Sequence, residues 1–146
     1  MRTLSESEAA LLLAQNLATL ATIRDDGTAH LTPLWVDWDG TYVLLNTARG
    51  RIKERHMRKG RPVTVLVVDK ENTIRYVQIT GHAELTTEGA DDHIDKMANK
   101  YLGLKEYPEV FRAPGEVRVI AKITPERVVS WNVEPDEEWP DPPPDE

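Results

Sequence analysis

The segment richest in potential chemistry is Asn46-Thr47-Ala48-Arg49-Gly50-Arg51-Ile52-Lys53. A strand-like run ends in Asn and Thr, Gly50 allows a tight turn, and cations enter the first turn of a helix, where free N–H groups already attract anions. Such a junction suits a phosphate. Thr47 could donate a hydroxyl hydrogen bond, Arg51 could grip two oxygens with its planar fork, and Lys53 could add a point charge. The same residues also suit a solvated basic helix, and the segment alone does not choose between the two. A second stretch, Thr32-Pro33-Leu34-Trp35, puts a proline into a strand. Lacking an N–H, Pro33 belongs at a sheet edge or at a break in the ladder, where neighbouring backbone groups stay free to meet a ligand. Trp35 could wall an aromatic pocket, or serve as core in a chain with a single phenylalanine.

Other chemistries lack their residues. There is no cysteine, hence no disulfide framework, thiolate metal site, iron–sulfur cluster or cysteine nucleophile, and a reducing cytoplasm is the expected location. His30, His56, His82 and His93 are scattered without metal-binding i, i+4 spacing. Gly-x-Gly-x-x-Gly, the phosphate loop, the Gly-x-Ser-x-Gly elbow and His-Glu-x-x-His are all absent. The acids Asp91-Asp92 read as a solvated face. If the chain is an enzyme, a cofactor carries the chemistry.

The elements that position these residues follow from pattern. Ser5-Glu6-Ser7-Glu8 has capping-box spacing and starts a short helix to about Asn16. Leu17 to Ile23, Ala29 to Trp38 and Thr41 to Thr47 read as three strands of a meander, turned at Asp25-Asp26-Gly27 and Asp39-Gly40. A basic helix after Gly50 is stopped by Gly60 and Pro62, and Val63 to Asp69 is a fourth strand. Ile74 to Thr86 alternates, with Gly81 marking a bulge or bend that would curve a sheet. Ile94, Met97, Ala98, Tyr101 and Leu102 make one apolar face of the longest helix, Glu88 to Leu102. Val117 to Ile123 alternates, Pro125 breaks the run, and Val128 to Val133 resumes it. The sum is a mostly β fold, an antiparallel β-barrel of about six to seven strands flanked by three helices. One domain spans 1–133, and 134–146, with seven acids among five prolines, reads as a disordered or extended tail.

Charge narrows the partners. The chain carries a formal −7, yet Arg49 to Arg61 holds seven cations and one acid, a local +6 that leaves −13 elsewhere. A compact polyanion is attracted to such a patch, while the surrounding field and the lack of interleaved aromatics oppose nucleic acid. The longest apolar runs, Leu17 to Ile23 and Val63 to Val68, are too short to span a bilayer, so no membrane partner is expected.

Leu17-Ala-Thr-Leu-Ala-Thr-Ile23, Asp26-Gly27, Leu31-Thr-Pro-Leu-Trp35, Asn46-Thr47 with Arg51 and Lys53, Arg61-Pro62-Val63, Gly81-His-Ala-Glu84, Lys100-Tyr101-Leu-Gly103 and Ile123-Thr-Pro-Glu126 together resemble the pyridoxamine phosphate oxidase-like split barrel. More narrowly, they are similar to its flavin- and deazaflavin-dependent oxidoreductase branch. The resemblance covers roughly residues 5 to 133. It implies an FMN-binding split barrel, a homodimer with the cofactor at the subunit interface, and a small-molecule substrate. The cofactor is flavin mononucleotide (FMN) or the deazaflavin coenzyme F-420, and some members bind other tetrapyrrole or flavin ligands. By motif match, Thr47, Arg51 and Lys53 would hold the phosphate and Thr32, Pro33, Leu34 and Trp35 would line the tricyclic ring, with Asn46, Ile52 and Arg58 completing the set. F-420 carries a phosphodiester and an oligoglutamate tail, and seven cations exceed what one phosphate needs, which leans toward F-420. Exposed Trp35, Trp38 and Trp131 would add reason for a dimer. The expected activity is hydride transfer from F-420 to a small conjugated organic acceptor, with an FMN oxidoreductase or a non-catalytic flavin, deazaflavin or tetrapyrrole binder as the alternatives.

Overall fold

Ser5 opens the first helix as expected: its hydroxyl accepts from the Glu8 N–H at 3.1 Å, and the Glu8 carboxylate accepts from the Ser5 N–H at 2.9 Å. The computed structural model describes residues 3–133, so the tail expected at 134–146 lies outside the described residues. The elements are α1 (Glu6–Leu13), β1 (Ala18–Ile23), β2 (Ala29–Leu34), β3 (Val36–Trp38), β4 (Val43–Ala48), α2 (Ile52–Arg58), β5 (Val63–Val68), β6 (Tyr76–Thr86), α3 (Ala90–Leu102) and β7 (Arg118–Trp131). A 3-10 turn at Glu109–Phe111 precedes β7.

The seven strands form one antiparallel sheet in the order β2-β1-β5-β6-β7-β4-β3. Its two edges, β2 and β3, are consecutive in the chain with only Trp35 between them. Two Cα steps therefore bring the edges within roughly 7 Å at that point, which a flat seven-stranded sheet cannot do. The sheet is curled into a split barrel. This corrects the three-strand meander: the run 29–38 is two strands on opposite edges, with Pro33 on an edge strand where a missing N–H costs nothing and Trp35 outside the ladder.

The inward phase of the strands makes the core. Leu20, Val65, Val67, Val77, Ile79, Val43, Leu45 and Ile123 are fully buried, joined by Leu11 and Leu12 of α1 and Met57 of α2. Each such side chain contributes about 1.5–3 kcal/mol of transfer free energy. Trp38 belongs to this core, which corrects its expected exposure. On the outer face α3 covers β4 and β7, burying Ala90 against Leu44 and Ile120.

The long pair β6–β7 changes register between Thr80 and Gly81, so that Gly81 faces Pro125 and Glu126 is the extra residue. A Cβ on Gly81 would stand 1.9 Å from the Thr124 carbonyl oxygen, and only glycine lets the two backbones approach this far. The same bulge absorbs Pro125. The strand expected to break there runs unbroken from Arg118 to Trp131, because the missing proline N–H falls where the ladder is already irregular. Among the described residues no helix is long and apolar enough to cross a membrane.

Candidate functional site

Gly50, at φ +84°, turns the chain from β4 into α2. Its N–H donates to the buried Glu54 carboxylate at 3.1 Å, and Arg51 follows as the helix N-cap. Lys53 then stands in the first turn beside the start of β7. There Arg51, Lys53 and Arg118 converge on a cavity of about 320 Å³, also lined by Pro33, Leu34, Trp35 and Asn46.

The cations share one counter-charge. Glu116, its side chain 3% exposed, accepts through Oε1 from Arg51 Nη2 at 3.2 Å and from Arg118 Nη1 at 3.1 Å. Arg118 is held on its second side by Nε donating to Asn46 Oδ1 at 2.9 Å, and its Nη2 has no partner among the described residues. Lys53 has neither a carboxylate nor a hydrogen-bond partner among them. Burial pushes its ammonium below the ordinary lysine range, and the charges of Arg51 and Arg118 push the same way. Burial also lowers Arg118, against the pull of Glu116. Three cations facing one carboxylate leave a surplus of two positive charges in a half-closed space, and an anion would relieve it.

An aromatic wall completes the cavity. Trp35 stacks in parallel on Tyr101, centroids 5.4 Å apart and planes 5° apart, and meets the edge of Tyr107 at 6.2 Å. Tyr107 continues to Phe111 and carries the guanidinium groups of Arg112 and Arg118, each 5.3 Å from its ring centre. Trp35 is fixed at the barrel closure by Tyr101, whose hydroxyl donates to the Asn16 carbonyl at 2.6 Å and accepts from the Val36 N–H at 3.2 Å. Lys100 adds donors to the Leu12 and Val36 carbonyls at 2.6 and 2.7 Å.

The pattern of pyridoxamine 5'-phosphate oxidase matches residues 4–132. The chain belongs to that family. No curated protein matches it. Among solved structures, an F-420 reductase is 28% identical with a TM-score of 0.74, over 86% of this chain and 98% of that one. A conserved protein, Rv2991 of Mycobacterium tuberculosis, is 27% identical with a TM-score of 0.66, over 88% and 84%. HupZ of Group A Streptococcus, at 21% identity, TM-score 0.63 and coverage of 87% and 93%, shares the fold.

The family's split barrel brings together Pro33, Leu34, Trp35, Asn46, Arg51 and Lys53, which lie on three separate elements and a crossover. Four other expected residues do not line the cavity. Strand alternation turns Thr47 to the inside, where it pairs with Val119 and its hydroxyl is buried without a partner among the described residues; Thr32 likewise faces inward beside Leu20. Ile52 is 47% exposed at the start of α2. Arg58 turns away to bind Glu54, Nε to Oε1 at 2.9 Å, over a different hollow lined by Arg49, Thr86 and Thr87. The basic segment is also less free than its +6 implies, because Lys59 and Arg61 both pair with Asp25. The sequence reading missed Leu17, Ile94, Tyr107, Phe111 and, above all, Arg118. Its signal was a lone arginine in the outward phase of β7, two residues after Glu116.

Proposed function

We propose that this protein is an oxidoreductase that holds the phosphate of F-420 between Arg51, Lys53 and Arg118 and passes hydride to a small conjugated organic acceptor. The observation that carries the reading is Lys53, without a partner among the described residues and set with two arginines in an aromatic-walled cavity. Similarity to an F-420 reductase supports the choice of cofactor. The residues fit such a group: three cations line the cavity together with Pro33, Leu34, Trp35 and Asn46. The bound cofactor would supply the hydride chemistry. The chain's own groups bind and orient, since the cavity's titratable side chains are three cations and Tyr107, none suited to act as a general base at neutral pH.

FMN is the second reading, favoured by one finding: Arg58, Lys59 and Arg61 are engaged by acids, so the charge surplus at the cavity matches one phosphate. A cavity of about 320 Å³ is at the small end for a cofactor-sized ligand. Its lining is partly apolar and open, with Leu17 56% and Phe111 53% exposed, and Val110, next to Phe111 in the chain, is 85% exposed. A second copy of the chain would cover this opening and complete the site, so the working unit is a homodimer. Light scattering of a monomer at micromolar concentration, with cofactor present, would refute that. The function is tested by titrating purified protein with F-420 and with FMN, followed by oxidation of the reduced complex with conjugated acceptors. Binding to neither cofactor overturns the reading, and tight binding without turnover converts it to a carrier.

A further inference from the structure

Behind the cavity, beneath α3, a line of hydrogen bonds runs away from Arg118. Asn46 Oδ1 accepts from Arg118 Nε at 2.9 Å, while Asn46 Nδ2 donates to the Ala90 carbonyl at 2.9 Å and meets His93 Nδ1 at 3.1 Å. Arg118 can only donate and the Ala90 carbonyl can only accept, so the Asn46 amide has one permitted orientation. With both amide hydrogens directed at Ala90 and His93, His93 Nδ1 must accept, and the imidazole proton sits on Nε2. That atom lies 3.3 Å from Asp37 Oδ2, within ion-pair distance but outside hydrogen-bond alignment, in a pair that is 7% and 4% exposed. Asp37 is fixed in turn by the Trp38 N–H at 2.9 Å and by Lys96 at 3.1 Å. Burial alone would raise the Asp37 pKa, but His93, the Trp38 N–H and Lys96 outweigh it and hold the carboxylate ionised.

We propose that Asp37, His93 and Asn46 are positioning residues, a relay in which Asp37 holds the His93 ring with Nδ1 as an acceptor, Nδ1 and the Ala90 carbonyl together hold the Asn46 amide in place, and Asn46 Oδ1 thereby sets the direction in which Arg118 presents its free Nη2 to the anion. The proposal rests on the cavity being an anion site, but the relay is a property of the protein alone and is tested without a ligand. If Asp37 and His93 merely pin α3 to the sheet, any side chain that restores packing serves equally well. A relay instead demands an acceptor at the position of His93 Nδ1. Asn supplies one there, since its Oδ1 overlays Nδ1, whereas Gln overlays Nε2 and Leu supplies none.

The experiment has two arms. Nitrogen-15 NMR of the full chain, without cofactor, reads the His93 tautomer and the exchange protection of the Arg118 Nε–H. The expected result is an unprotonated Nδ1, with protection kept in His93→Asn and lost in His93→Gln and His93→Leu. In the second arm, affinity for FMN and F-420 falls about tenfold in His93→Gln and His93→Leu and stays within about twofold in His93→Asn, the size expected for misdirecting one charge-assisted contact. Thermal unfolding of each variant accompanies both arms. A proton on Nδ1 overturns the relay, as does an affinity order that follows melting temperature rather than the Nδ1 acceptor. Should His93→Leu fail to fold, the Asn and Gln variants decide. If the wild type binds neither cofactor, the proposed function falls and the NMR arm still decides the relay.

Discussion

Replacing Lys53 with Met should separate ligand binding from stability by moving them in opposite directions. In the unliganded protein Lys53 is a cost: burial and the charges of Arg51 and Arg118 all disfavour its ammonium, and no carboxylate among the described residues answers it. Met keeps the apolar stem and removes the charge, so the melting temperature of the apoprotein should rise. The cavity then drops from a surplus of two positive charges to one, Arg51 and Arg118 against Glu116. A unit charge about 4 Å from a phosphate oxygen is worth roughly 4 kcal/mol at an effective dielectric near 20, before desolvation is subtracted. The net loss for one charge-assisted contact is about 1.5–3 kcal/mol, or roughly ten- to a hundredfold in affinity. Fluorescence titration with F-420 and FMN at two salt concentrations measures the loss, which should be accompanied by a shallower salt dependence. If affinity for both cofactors is unchanged, the phosphate lies elsewhere. If the apoprotein is destabilised instead, Lys53 is a structural residue and the charge reasoning fails.

Arg58→Ala should leave cofactor affinity unchanged while lowering the melting temperature, because Arg58 neutralises the buried Glu54 and not the cavity; a loss of affinity would return Arg58 to the site. Gly81→Ala forces a methyl onto the Thr124 carbonyl oxygen and should destabilise the fold by more than about 3 kcal/mol in urea unfolding; a loss below 1 kcal/mol, on the same scale, would show that the bulge gives way easily. Burial lowers the Lys100 ammonium to about 8, with Asp37 resisting, from the ordinary lysine value of 10.5. Between those pH values the unfolded chain keeps a proton that the folded chain has released, so this residue's contribution to stability rises with pH across that window. The difference in unfolding free energy between wild type and Lys100→Met should grow from pH 8 to 10, and a flat difference would refute the shift.

Local rules made most of the elements legible. The capping box at Ser5 to Glu8, the alternation of Val63, Val65 and Val67, and the apolar face of α3 are each written in spacing over a few residues, and each is readable as such. The failures were nonlocal. The run Ala29 to Trp38 looks like one strand because both halves alternate, and nothing in its residue types says that Leu34 pairs with Ala18 while Val36 pairs with Leu45 on the opposite edge. Pro125 was misread for the same reason: its tolerance depends on Gly81, forty-four residues earlier, having no side chain.

The site shows the same division in sharper form. Asn46, Arg51 and Lys53 were legible because a strand end, a glycine turn and a helix start place them together within eight residues. Thr47 is grouped with them as a strand-end hydroxyl and by the motif, yet the two-residue period of β4 sends its hydroxyl into the barrel while Asn46 faces the cavity. Arg118 is the converse. It stands seventy-two residues from Asn46, and only the pairing of β4 with β7 brings its Nε within 2.9 Å of the Asn46 amide. A charged residue in the outward phase of β7 ordinarily faces water, but α3 covers that phase, and a cation 5% exposed needs both a carboxylate and a use for its remaining donors. Glu116 meets the first need. The Nη2 of Arg118, directed in the proposed relay that begins at Asp37, has no partner among the described residues, and a bound anion is the group that the proposed function sets against it.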